Sequence, residues 1–169
     1  MNVTAIKLQS LIQAELASIQ DVRVTSHIKS LLVEPTEVLR GWDYGTPGQV
    51  YPCWAVLNHI ESNTGIAYCE FGFGPKNPWG LVTLSGSVNQ MSMGMDSGWF
   101  RSFTEAYFDS FASADLAIWR VFKSKKNEAY PGVAITEESD WESTWKEVYR
   151  LRAADPDHYY ACHHSIQLH

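Results

Sequence analysis

Ten of the eleven glycines of this chain lie between Gly41 and Gly98, together with four of its seven prolines. Glycine is costly inside regular structure, and proline removes a backbone donor and blocks helix continuation. This stretch therefore cannot hold a long helix. The apolar runs left between the turn residues are short: Tyr51 to Leu57, Ile66 to Phe73, Trp79 to Leu84 and Met91 to Met95. Apolar runs of this length, bounded by Gly, Pro, Asn or Ser, predict consecutive antiparallel strands. Asn63-Thr64-Gly65 predicts a hairpin turn, and Gly74-Pro75-Lys76-Asn77-Pro78 a longer loop.

Helical spacing flanks this region. Leu8, Leu11, Ile12, Leu16 and Ile19 recur every three or four residues, with Asn2 or Thr4 placed to cap the start. Ser102-Phe103-Thr104-Glu105 is a capping-box pattern opening a helix over about 102–113. Ser139-Asp140-Trp141-Glu142 reads as another, opening a helix over about 140–154 in which Trp141, Trp145 and Val148 form the core stripe and Glu142 pairs with Lys146. Val22 and Val24 alternate with Arg23 and Thr25, so residues 22–42 read as extended chain, with Pro35 stopping any helix. Residues 116–122 read as a strand, and the tail from His158 as an edge strand or a surface segment. The expected fold is a single α+β domain over 1–169, with helices covering one face of a largely antiparallel sheet of about five to seven short strands.

Composition narrows the function classes. The chain has 169 residues, 45% of them hydrophobic, and carries 13 basic against 19 acidic side chains for a net charge of −6. That balance argues against direct nucleic-acid binding. The single basic cluster, Lys123, Lys125 and Lys126, reads as a solvated loop, with phosphate binding the alternative. No run is long and apolar enough to cross a membrane. Met1 to Lys7 lacks the pattern of a secretory leader, and Cys53, Cys69 and Cys162 are odd in number and widely spaced. Reduced thiols in a cytoplasm are expected.

The chain lacks the serine-hydrolase Gly-x-Ser-x-Gly pattern, and no Gly-Lys-Ser/Thr follows Gly72-Phe73-Gly74. Four of the six histidines fall in the last twelve residues, beside Cys162, but they form no pair of short-spaced ligand doublets. Cys53 and Cys69 sit in strand-like runs and read as small buried hydrophobes. No cofactor, metal or catalytic residue is assigned. One enzymatic alternative stands: Asp43, His59, Glu70 and Asp96, each beside a strand end or turn, would serve acid–base chemistry if the fold brought them together.

Gly41-Trp42-Asp43-Tyr44-Gly45, Tyr51-Pro52-Cys53-Trp54, Ser62 to Cys69, Gly72-Phe73-Gly74-Pro75 and Pro78-Trp79-Gly80-Leu81, with the Ser102-Phe103-Thr104-Glu105 helix opening, resemble small stand-alone bacterial toxin-immunity proteins over about residues 41–112. The resemblance implies a cytoplasmic protein that neutralises one cognate basic toxin domain, a nuclease being one such partner. Trp54, Trp119, Trp141 and Trp145 are expected in the core. Trp42, Trp79 and Trp99 sit beside glycine-rich turns and are expected at the working surface, with Asp43, Tyr44, Glu61, Glu70 and Asp96.

Overall fold

A computed structural model describes residues 3–41, 46–70, 76–85 and 98–169. The chain is α+β and divides into two compact units, residues 1–113 with His169, and residues 114–168. The strands are shared between two antiparallel sheets, one in each unit. Among the described residues, no helix is long and apolar enough to cross a membrane.

The first unit opens with α1 (Ala5–Leu16), α2 (Val22–Leu31) and β1 (Leu32–Arg40). Thr4 caps α1 through its side chain, and Leu8, Ile12, Leu16 and Ile19 are buried as their spacing predicts. Leu11 lies off that stripe and is exposed. Residues 22–31 are a helix, where alternation predicts extended chain. Asp21 caps it, accepting from the Arg23 N–H, and Val24 and Ile28 are both fully buried one turn apart. The helix penalty of β-branched residues is only tenths of a kcal/mol each, so a cap and two core anchors outweigh it. The strand expectation holds from Leu32. Pro35 is accommodated because β1 is an edge strand whose register shifts between Leu32 and Thr36.

The sheet continues through β2 (Tyr51–His59), β3 (Thr64–Tyr68), β4 (Trp79–Thr83) and β5 (Trp99–Phe100), paired in chain order. The predicted hairpin turn occupies 60–63, with the Asn63 N–H bonded to the Ile60 carbonyl and Asn63 in the left-handed region at φ 55°. Gly65 belongs to the strand rather than the turn. A Cβ there would stand 2.4 Å from the Leu57 carbonyl oxygen, so only glycine permits that strand approach. The expected strand at Met91 to Met95 lies outside the described residues, as do Gly74 and Pro75 of the expected loop.

The unit closes with α3 (Phe103–Asp109) and the first residues of a 3-10 turn, Phe111–Asp115. Ser102 caps α3 by accepting from the Glu105 N–H at 3.0 Å, and the Glu105 carboxylate returns to the Arg101 N–H at 3.1 Å. A second cap arrives from α1. Glu15 accepts from the backbone N–H groups of Phe103 (3.1 Å) and Thr104 (2.7 Å) and from the Thr104 hydroxyl (2.8 Å). Charge-assisted bonds of this kind contribute more than neutral ones, so Glu15→Ala will cost about 2–3 kcal/mol in chemical denaturation, well above a surface substitution.

The second unit holds β6 (Trp119–Lys125), β7 (Val133–Ala134), α4 (Trp141–Ala154) and β8 (His158–His164). The strands lie in the order β7-β6-β8, so the tail forms the edge strand. Val148 packs on Val121 and Tyr160, with Trp145, Leu151 and Cys162 at the margin of the cluster. The predicted start of α4 is off by one residue. Asp140 is its cap, accepting from the Ser143 N–H at 2.8 Å, because the Ser139 backbone is engaged in a bridge with Trp119.

Candidate functional site

The residues expected at the working surface fall into three groups. Trp42, Asp43, Tyr44 and Asp96 lie outside the described residues. Glu61 and Glu70 are exposed. Trp79 and Trp99 are buried, at 3% and 7% exposure, and are core residues. The Trp79 ring meets Tyr68 edge-on at 5.1 Å and Phe103 at 5.5 Å. Trp99 fills the slot left by Gly80 on the paired strand, where a Cβ would meet the indole at 2.8 Å. The neighbouring glycine is thus what admits the indole to the core.

The acid–base alternative also meets the fold. His59 is buried, with its Nδ1 2.7 Å from the Ser62 hydroxyl. His59 pairs with Thr64 at one end of the β2–β3 hairpin, and Glu70 follows the Trp54↔Tyr68 pair at the other. Six residues of extended chain separate Thr64 from Glu70, about 20 Å. The sheet holds this pair apart.

On α4, by contrast, a tryptophan is exposed. Trp141 is 43% exposed and Tyr149 62%, with Trp145 half-buried between them. Spaced four residues apart, the three rings form a continuous stripe along the helix. Trp141 meets Trp145 edge-on at 5.9 Å, and Trp145 lies 5.5 Å from Tyr149 at a 34° tilt. Of the expected core stripe, Val148 is buried with Trp145 packed at its margin, whereas Trp141 is exposed and Thr144 turns inward instead. Arg152 borders the stripe, its guanidinium 5.6 Å from the Trp145 ring centre while Nε and Nη2 both donate to the Tyr160 carbonyl.

The ions on the same helix pair with one another. Lys146 meets Glu142 at 3.0 Å and Arg150 meets Glu147 at 2.6 Å, leaving the aromatic stripe flanked by compensated charge. The hydrogen bond from Arg150 holds the Glu147 carboxyl below its ordinary range, and Glu142 holds the Lys146 ammonium above its own.

A polar cluster follows the helix. Asp155 accepts from the Tyr160 hydroxyl at 2.6 Å, lies 2.9 Å from His158 Nδ1, and meets Lys123 at 3.4 Å. The Tyr160 and His158 bonds hold the Asp155 carboxyl far below the usual carboxylate range. An aspartate orienting a histidine is part of a hydrolytic triad. Among the described residues, however, no serine or cysteine reaches the His158 ring, and the cluster ties β8 to β6. Lys123, read as a loop lysine, belongs to this cluster. Cys162 packs at the edge of the α4 core, while the His163 and His164 rings stack 4.3 Å apart. Burial pushes the Cys162 thiol up to about 12.

No signal in the periodicity singled out the α4 stripe as a surface, although its i, i+4, i+8 spacing was visible. Comparison with known protein families, characterised proteins and solved structures finds no match to this chain.

Proposed function

We propose that this chain is a protein-binding module of the toxin-immunity kind, and that its partner docks on the aromatic stripe of α4. The stripe of Trp141, Trp145 and Tyr149 carries the reading. Tryptophan and tyrosine are the side chains most enriched among interface hot spots, because each buries a large rigid area at small entropic cost. Here Trp141 and Tyr149 stand exposed on either side of a half-buried Trp145, already ordered by mutual ring contact and flanked by ions that demand no partner charge. The net charge of −6 adds a long-range term that favours a basic partner and speeds its approach. Exposed Glu61 and Glu70 contribute to that field. A cytoplasmic bacterial setting, with a basic toxin domain as the partner, fits this division between contact and steering.

Co-expression with the product of the adjacent reading frame tests the function. The expected outcome is relief of that product's toxicity and a purified complex whose association slows as salt rises, since exposed charges are screened beyond about 8 Å at physiological ionic strength. A harmless neighbour that forms no complex would count against the immunity reading.

A further inference from the structure

The first unit holds a second chemical feature, independent of α4. Cys53 on β2 and Cys69, one residue past β3, are both buried and share one cluster with Ala67, Val82 and Trp99. The pairs Ala55↔Ala67 and Trp54↔Tyr68 set the antiparallel register, and one further step brings Cys53 opposite Cys69. The Cys69 N–H points away from β2, to the Pro78 carbonyl at 2.8 Å. Cys53 and Cys69 therefore face each other at a non-hydrogen-bonded position, where opposed Cα atoms approach to about 4.5 Å. That lies within the span of about 4.4–6.8 Å that a disulfide bridges. The thiols already touch. Cys53 hydrogen-bonds to Cys69, and the Cys69 Sγ donates to the Pro52 carbonyl at 3.4 Å.

Arg40 lies on the same sheet face, since Val38 pairs with Cys53 and Arg40 with Tyr51. Its side chain is 2% exposed, and Nη1 donates to the Thr83 carbonyl at 2.6 Å. β1 and β4 are separated by two strands, so this bond requires the sheet to curl. Among the described residues, Arg40 Nε has no hydrogen-bond partner and no carboxylate pairs with the guanidinium. A buried cation without a counter-ion is costly. Arg40 and Cys53 act on each other electrostatically, so the dithiol is a group able to become an anion within the field of this cation. The same guanidinium repels a metal cation from the two sulfurs.

We propose that Cys53 and Cys69 are a redox pair that closes into a cross-strand disulfide on meeting a hydroperoxide, with Arg40 as the positioning residue that supports the thiolate. Cys69 first gives up the proton it holds toward the Pro52 carbonyl and then accepts from the Cys53 thiol, so that Cys69 is the attacking thiolate. Its electron pair attacks one peroxide oxygen, the O–O bond breaks, and the departing hydroxide takes up the proton that Cys69 released, leaving as water. Cys69 is then a sulfenic acid. The Cys53 sulfur attacks the Cys69 sulfur, the S–S bond forms and the S–O bond breaks. The hydroxyl group leaves as a second water with the Cys53 proton. Two thiols and one hydroperoxide thus give one disulfide and two oxygen-borne products, water when the oxidant is hydrogen peroxide.

Treatment of the full chain with hydrogen peroxide, followed by alkylation and peptide mass mapping, tests the proposal. The expected product lacks the mass of two hydrogen atoms, contains a Cys53–Cys69 cross-linked peptide, leaves Cys162 alkylatable, and reverts with a reducing thiol. Its unfolding midpoint should rise by roughly 5–10 °C, because the bridge closes a short loop in the unfolded chain. In Cys53→Ser, a sulfenic acid should be trapped on Cys69. Arg40→Met should slow disulfide formation at least tenfold and move its pH profile upward, while Arg40→Lys restores both. Peptides in which both cysteines remain alkylatable after peroxide would overturn the proposal, as would a chain-to-chain bridge through Cys162. If Arg40→Met does not fold, the wild-type cross-link and the Cys53→Ser trap still decide.

Discussion

Trp99→Ala will remove about 3–5 kcal/mol from the first unit, whereas Trp141→Ala will cost under about 1 kcal/mol in the second. The difference follows from where the fold puts two indoles that a sequence reading places the other way round. Trp99 is 7% exposed and seated over Gly80, so its removal opens a cavity lined by Val82 and Ala67 that the sheet cannot close. Trp141 is 43% exposed at the first turn of α4, and its loss uncovers little. Urea unfolding checks this: the Trp99 variant's midpoint should fall with an unchanged denaturant slope. Equal costs for the two substitutions would contradict the placement of both rings.

The second unit will lose about 3 kcal/mol of stability as pH falls from neutrality to about 4. The group responsible is His164, which burial, and then the neighbouring His163, pull down from 6.5 to about 4. Its ring packs edge-on against Trp119 at 6.1 Å. Between those two values the unfolded chain binds a proton that the folded unit refuses. Stability is therefore fully present above pH 6.5 and drains away as pH falls through 4. His164→Phe keeps the edge-on packing and should flatten the profile in that window. Hydrogen exchange of the β6 and β8 amides reads this unit by itself, and protection that does not change from pH 7 to pH 4 would sink the assignment to His164.

Local signals in the sequence were reliable where one element decides the outcome. The stripe of α1, the serine cap of α3, the short strands between glycines and the Glu142–Lys146 pair all depend on residues within a turn or two. What escaped depends on partners distant in sequence. Glu15 reads as a polar-face residue of α1, yet it caps a helix 88 residues onward. Val22 and Val24 alternate like strand residues, but burial of Val24 with Ile28 makes the segment a helix. Trp99 looked unneeded for packing beside its glycines, because the slot that receives it belongs to another strand. On α4, Trp141 shares the spacing of Trp145 and Val148, yet at the first turn of the helix it stands exposed while they meet the core. The cysteine pair shows the same limit. Each thiol alone reads as a small hydrophobe, and only the β2–β3 register sets one against the other.

The α4 stripe as a working surface is tested most directly by titrating the wild-type chain and the Trp145→Ala/Tyr149→Ala double variant with the product of the adjacent reading frame. Because Trp145 packs at the margin of the α4 core, the exposed pair Trp141→Ala/Tyr149→Ala should be titrated alongside, and every sample should first be shown to be folded by circular dichroism. Hot-spot aromatics contribute about 2 kcal/mol or more each, so the loss of two should weaken binding by about 500-fold or more, mainly through faster dissociation. An affinity unchanged by removing both rings, in a variant that remains folded, would contradict it.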